Sequence, residues 1–191
     1  MRRASRIKSE QQIFRRTMVS KMRRIGYGLA ATFCLVLQGC TGIPEGIEPV
    51  TGFDQERYLG AWYEIARLDH SFERGLSEVT ATYSTNPDGS IAVLNRGFDQ
   101  EEGRWREAEG VARFVDSPTV AHLKVSFFGP FYGSYIVFGL GEDYDYAFVS
   151  GFNRDYLWLL SRSPEISDTL RNEFLETITD LGFAADDLVW L

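Results

Sequence analysis

The sequence predicts an all-β domain of eight antiparallel strands followed by a single α-helix. Three observations predict it. Short segments of alternating apolar and polar residues recur from Trp62 to Arg162, with Gly, Pro, Asn or Asp turns between them. One stretch of helical period appears only after these segments. Hydrophobic residues make up 44% of the chain and aromatic residues 14%, enough for the core of one domain and unlike a disordered composition. Eight strands at this spacing fit an up-and-down barrel or a sandwich.

Each element has its own signal. Ala61–Leu68 is the first strand. Val79–Ser84 follows, with Val79, Ala81 and Tyr83 alternating against Thr80, Thr82 and Ser84. Asn86-Pro87-Asp88-Gly89 then forms a turn, because Pro presets φ and Gly accepts φ > 0. Ser90–Phe98, Arg104–Val115, Ala121–Phe128 and Ser134–Leu140 are the third to sixth strands. The charged turn Asp99–Gly103, the turn Asp116-Ser117-Pro118 and the loop Gly129–Gly133 separate them. Tyr146–Phe152 and Tyr156–Arg162 complete the eight. A helix follows, for which Ser163 is a capping residue, Pro164 suits the first turn, and Glu165 and Asp168 sit at the positive dipole end. Leu170, Phe174, Ile178 and Leu181 give it one apolar face, and Gly182 can end it. Such a helix packs against the outside of the sheet. Leu188–Leu191 is long enough for a last short strand.

Charge divides the chain in two. Residues 1–39 hold nine of the 20 Lys/Arg and one acid, Glu10, so the remainder is strongly acidic. Phosphate binding needs clustered Lys/Arg, which argues against nucleic acid as a partner. The basic front end precedes a 13-residue apolar run, Ile25–Leu37. A helix of that length rises only about 20 Å against a bilayer core of roughly 30 Å, so it reads as a secretory signal and not a span. Leu37-Gln38-Gly39-Cys40 then resembles the lipobox of bacterial lipoproteins, with Gln38 where Ala or Ser is more usual. The resemblance implies removal of residues 1–39 and acylation of Cys40. Thr41 replaces the Asp of the inner-membrane retention signal, which favours the outer membrane, with the domain facing the periplasm. The alternative is an ordinary thiol at Cys40 behind a cleaved signal. Met18 or Met22 fits as the true start, which would make 1–17 a mis-called extension. Cys34 leaves with the signal, so the mature chain has no disulfide. Residues 40–52, with Pro44 and Pro49, read as an acylated tether, and 53–191 as the domain.

Three motifs in the domain resemble the signatures of one family. Gly60-Ala61-Trp62-Tyr63-Glu64-Ile65 resembles the Gly-x-Trp motif of lipocalins. Tyr144-Asp145-Tyr146 resembles their Thr-Asp-Tyr block, with Tyr in place of Thr, and Arg162 resembles their single Arg before the helix. The stretches Arg57–Arg67, Lys124–Gly133 and Arg154–Arg162 are similar to the bacterial lipocalin branch related to apolipoprotein D. The match covers about Phe53–Leu191. It implies a calyx of eight antiparallel strands with one closed and one open end. Gly60, Trp62, Asp145, Tyr146 and Arg162 would then be structural, with the Arg162 guanidinium over the Trp62 indole at the closed end.

Eight strands leave an interior wide enough for packed side chains or one small ligand. Strand alternation selects the candidate lining: Glu64, Ala66, Leu68, Ala81, Tyr83, Asn95, Ala108, Gly110, Ala112, Val125, Phe127, Trp158 and Leu160. Several of these are small for a filled core, which points to an apolar cavity walled by aromatics. The alternative is that they ease strand packing. Glu64 would be a buried carboxylate, needing partners or a raised pKa. It and Asn95 either read a ligand head group or pair with each other. Alternate loops share the mouth, which gains Phe72, Phe128, Phe131 and Tyr132, with His70 and Arg74 nearby. An apolar, partly basic rim suits a fatty acid or lysophospholipid. The same aromatic patch would equally serve contact in a homodimer.

The expected function is lipid binding, storage or transport in the envelope. No cofactor or metal is expected, and catalysis is not. There are two His (His70, His122), no mature Cys nucleophile, no Gly-x-Ser-x-Gly elbow and no His/Cys metal spacing. Two alternatives stand beside it: a structural envelope lipoprotein without ligand, and a lipocalin-fold enzyme using Glu64, which would need a second convergent acid.

Overall fold

The structure is a computed structural model, and it describes residues 41–191. The signal segment and Cys40 lie outside the described residues. Eight strands run β1 Gly60–Leu68, β2 Leu76–Thr85, β3 Ile91–Asp99, β4 Arg104–Phe114, β5 His122–Phe128, β6 Phe131–Leu140, β7 Tyr146–Ser150 and β8 Leu157–Ser161. Each pairs antiparallel with the next, and β1 pairs with both β8 and β2, which closes the barrel. A short helix α1, Gln55–Tyr58, precedes β1, and α2, Asp168–Asp180, follows β8. A ninth strand, β9 Leu188–Trp190, pairs with Ala66–Leu68 after β1 has parted from β2.

Strand alternation sorts the buried side chains into two clusters. Trp62, Ala81, Tyr83, Val93, Ala112, Leu123, Val137, Val149 and Leu160 point into the barrel. Ile65, Ile136, Phe148, Leu157 and Leu159 point outward and are covered by Phe174 and Ile178 of α2. The helix thus gives a second core on the barrel's outer wall. Ser167, not Ser163, caps it: the Ser167 Oγ accepts from the Leu170 amide at 3.2 Å, and the helix starts at Asp168. Gly182 ends it with φ +76°, a conformation that costs Gly little.

The segment that reads as a tether is a strap on the barrel. Ile47 is buried in the outer cluster. The Val50 amide donates to the Val137 carbonyl at 2.9 Å, and the Phe53 amide to the Thr119 carbonyl at 3.0 Å. Nearer its start, the Gly42 carbonyl accepts from Ser134 Oγ at 2.8 Å. The Arg154 guanidinium holds the carbonyls of Glu45 and Leu181, fastening the strap and the end of α2 to the β7–β8 loop.

Antiparallel order puts the β1–β2, β3–β4, β5–β6 and β7–β8 connections at one end of the barrel, and α1 lies at the other. At the α1 end, Arg162 donates to the carbonyls of Ala61, Arg57, Leu59, Tyr58 and Tyr144 at 2.7–3.2 Å. Its guanidinium carbon lies 3.8 Å from the centroid of Trp62, whose Nε1 donates to the Tyr58 carbonyl at 2.8 Å. Gly60 has φ +94°, and a Cβ there would lie 3.4 Å from Arg162 Nη1. A left-handed turn beside a guanidinium explains the Gly. Asp145 acts through its carbonyl, which accepts from the Arg162 amide at 2.8 Å. Tyr146 faces outward and donates to Glu173 of α2 at 3.0 Å. The five signature residues therefore seal one end and attach the helix.

Candidate functional site

The interior starts from β4. By register with Ala112, Gly110 and Ala108 face inward, yet Gly110 is half-buried and Ala108 exposed. The reason is a gap: β4 pairs with β5 only from Val111 to Phe114, leaving the Arg104–Gly110 half of β4 without a partner on that side. Ala108 faces Asn95 across β3, and Asn95 faces Ala81 on β2. These side chains form a floor of small groups next to the gap. The Oδ1 of Asn95 is buried and accepts no hydrogen bond from the protein. The Phe127 ring lies against the bare face of Gly110, where a Cβ would meet it at 2.9 Å. Val125, Phe127 and Trp158 are only partly buried, at the margin of the inner cluster. Deeper in, the hydroxyls of Tyr58, Tyr135 and Tyr83 form a chain with links of 2.7 and 2.9 Å, satisfying three buried phenols among themselves.

The polar part of the interior comes from β1 and the loop after it. A β-bulge lies between Glu64 and Ala66 in the pairing with β8. A bulge inserts one residue and reverses the alternation beyond it. Glu64 faces inward as its parity with Trp62 requires, but past the bulge it is Arg67 that faces inward, opposite Trp158. Ala66 and Leu68 are thereby turned to the outer cluster under α2, so they leave the cavity lining expected from alternation. Arg67 is 2% exposed. It donates to Glu64 Oε1 at 2.7 Å and to the carbonyls of Glu73 and Leu76 at 3.0 and 3.1 Å. Glu73, from the β1–β2 loop, turns in and accepts from Trp158 Nε1 at 3.0 Å. Two buried carboxylates thus lie near one guanidinium: Glu64 is hydrogen-bonded to it, while Glu73 feels its charge and lies 3.2 Å from His70 Nε2. Burial first, and then the charge of Glu73, push the Glu64 carboxyl up to about 8. Burial likewise raises Glu73. Alternation could not locate Arg67, and Glu73 lies in a loop without periodicity. The only sequence signal was that a buried Glu64 needs a partner.

The mouth is apolar. Phe128 and Phe131 pair at the tip of the β5–β6 hairpin and are 82% and 75% exposed. Tyr132 is half-buried, with Lys124 Nζ 5.4 Å from its ring centroid. Across the opening, Phe72 stacks on His70 with centroids 4.0 Å apart. His70 is not the cationic rim group expected. It is buried against Trp158 and Tyr156, and burial with the nearby Arg67 lowers its pKa to about 4, so it is neutral. Arg74 pairs with Asp69 at 2.7 Å. Among the described residues no group of three or more His, Cys, Asp or Glu is placed to hold a metal ion.

Comparison with known proteins adds the following. A family profile described as a lipocalin-like domain matches residues 53–191. An outer membrane lipoprotein Blc of Vibrio cholerae serotype O1 is 56% identical over 158 residues, covering 82% of this chain and 92% of that protein. The protein of the same name from Escherichia coli strain K12 is 49% identical over 172 residues, covering 89% and 97%. Apolipoprotein D of Rattus norvegicus is 36% identical over 141 residues, covering 69% and 68%. Among solved structures, insecticyanin of the tobacco hornworm Manduca sexta superposes with a TM-score of 0.62 at 22% identity, covering 78% of this chain and 85% of its own, a likeness of fold.

Proposed function

The chain belongs to the lipocalin family, and we propose that it is a lipid-anchored protein of the outer membrane that holds one amphiphilic lipid in its calyx. The single observation that carries this reading is the open side of the barrel. Inward-facing Ala108 and Gly110 are reachable from solvent beside a gap between β4 and β5. Apolar walls (Val125, Phe127, Leu160) take an acyl chain, because removing apolar area from water contributes about 25 cal/mol per Å². Lipoproteins of the same name at 49 and 56% identity support the location. They also support attachment through Cys40.

The head group follows from the polar cluster. One guanidinium faces two carboxylates, so a fatty-acid carboxylate entering there would add a third acid to one arginine. A lysophospholipid brings a hydroxyl that can donate to the unpartnered Asn95 Oδ1. In the ethanolamine form its phosphate and ammonium charges cancel, so the head group adds no net negative charge to the acid surplus. Lysophospholipid is therefore the favoured ligand and fatty acid the weaker one. The test is a titration of purified protein with fluorescent lysophosphatidylethanolamine and with a fluorescent fatty acid of equal chain length. Saturable binding of one lysolipid per chain, tighter than the fatty acid, is expected. Equal or reversed affinities refute the head-group assignment. Absence of any saturable binding refutes the carrier reading.

Glu73 does supply the second acid that a hydrolytic reading of Glu64 requires. Each carboxylate is already held, however, Glu64 by Arg67 and Glu73 by Trp158. Release of free fatty acid from the lysolipid in the same titration, lost in Glu64→Gln, would favour that second reading.

A further inference from the structure

We infer that the β5–β6 hairpin tip rests in the surface of the bilayer, so that the calyx mouth opens onto the membrane and not away from it. This rests on the acylation of Cys40 in the proposed function. Three separate observations carry it.

The first is where the strap begins. Thr41 contacts the His122 side chain through its backbone, and the Gly42 carbonyl is held by Ser134 on the outer face of β6. Ser134 lies beyond the last residue of β7, since Ser150 pairs with Ile136. It is three residues from Phe131 at the hairpin tip, about 10 Å along a strand. Cys40 is two residues from Gly42, which reach at most about 7 Å. A lipid on Cys40 therefore brings the bilayer to the flank of this hairpin. The tether has no slack with which to present the opposite end of the barrel.

The second observation is exposure. Phe128 and Phe131 are the two most exposed large hydrophobic side chains among the described residues. They sit side by side at the tip, with Tyr132 and Lys124 just behind them. Rings at the tip with an amphipathic phenol and a cation behind them is the layering that suits a headgroup boundary.

The third is charge. The chain has 27 Asp and Glu, but none between Asp116 and Glu142, the stretch that forms this hairpin. Of the acids on neighbouring mouth loops, Asp69 is paired with Arg74 at 2.7 Å and Glu102 with Arg104 at 2.6 Å. An acidic protein would be repelled by anionic lipid over most of its surface and least along this edge.

The mature chain has no cysteine other than Cys40, so Phe128→Cys, Phe131→Cys and, at the closed end, Glu165→Cys each give one labelling site. The acylated proteins are purified from membranes, labelled with an environment-sensitive dye and reconstituted in vesicles of phosphatidylethanolamine and phosphatidylglycerol. Dye at 128 and 131 should shift to the blue and be quenched by nitroxide-bearing phospholipids. Dye at 165 should report water. If 128 and 131 match 165, the inference is overturned. It is overturned equally if they shift without nitroxide quenching, which would place the tip against a second copy of the chain. As a second measurement, Phe128→Ser with Phe131→Ser should slow uptake of fluorescent lysolipid from vesicles by about tenfold more than uptake of the same lysolipid supplied in solution, from the lost apolar contact with the bilayer. Unchanged uptake from vesicles contradicts the inference. Failure of the unmodified protein to bind lysolipid in solution would strike the carrier reading alone, and the dye positions would still decide the docking.

Discussion

Glu64→Gln should make the protein more stable above neutral pH, although it alters a buried ion pair. Arg67 can balance one carboxylate; Glu64 is hydrogen-bonded to it and Glu73 lies within range of its charge. Burial raises both acids, and the charge of Glu73 adds to the effect on Glu64, whose pKa reaches about 8. In the unfolded chain the same carboxyl titrates near about 4.3. Between these values the folded state binds a proton that the unfolded state does not, so stability falls as pH rises. His70 acts in the other direction. Its pKa is lowered to about 4 by burial, so the unfolded state takes up its proton first and stability falls as pH drops below about 6.5. The two effects oppose each other below about pH 6.5, and only the acid operates from there to about pH 8. One proton contributes about 1.4 kcal/mol per pH unit, hence about 2 kcal/mol over that interval, or about 6 °C in Tm for a chain of this size. Denaturant and thermal unfolding should show this decline in the unmodified protein. Glu64→Gln keeps an oxygen for Arg67 and removes the surplus charge, so the decline should disappear and the acid limb from His70 should emerge. Glu73→Gln should act in the same direction. The double variant strands a buried guanidinium and should be less stable than either single one. Parallel pH profiles for the unmodified protein and both single variants would refute the shared-charge reasoning.

Other perturbations test separate parts of the structure. Arg162→Ala removes the contact with Trp62 and takes a donor from five backbone carbonyls, of which Tyr58's keeps Trp62 Nε1, and should cost about 3 kcal/mol or more in urea unfolding, with Arg162→Lys recovering little. Ile47→Ala should cost about 2–5 kcal/mol, because Ile47 is 4% exposed in the outer cluster; a cost near zero would return the strap to the status of a free tether. Ala108→Trp places a large ring at the open side of the calyx, and should weaken lysolipid binding by more than about tenfold while changing unfolding free energy by less than about 1 kcal/mol.

Much of this molecule was legible from alternation and turn chemistry. The eight strands and the external helix follow from patterns that physical constraints impose on every residue of an element, whereas the closed barrel and the Trp62–Arg162 seal were implied by the resemblance to lipocalins. What escaped has local causes. The β-bulge at Glu64–Ala66 has no Gly or Pro to announce it, and past it every parity assignment reverses, exchanging Ala66 and Leu68 for Arg67. The helix start moved because two serines competed: Ser163 Oγ accepts only from the nearby Glu165 amide at 3.4 Å, while Ser167 caps. The strap was hidden by its Pro and Gly content. Its apolar residues Ile47, Val50 and Phe53 were the signal to weigh against that content, since a free tether has no use for them. Glu73 and the neutral His70 depend on how one loop folds over the mouth, which no periodicity encodes.

The central claim is that the barrel holds a lipid. Native mass spectrometry of the acylated protein, extracted gently from outer membranes, tests it most directly. The account predicts a population carrying one additional lysophospholipid per chain, lost from Ala108→Trp. A single apo species in both proteins, under conditions that preserve the fold, would contradict it.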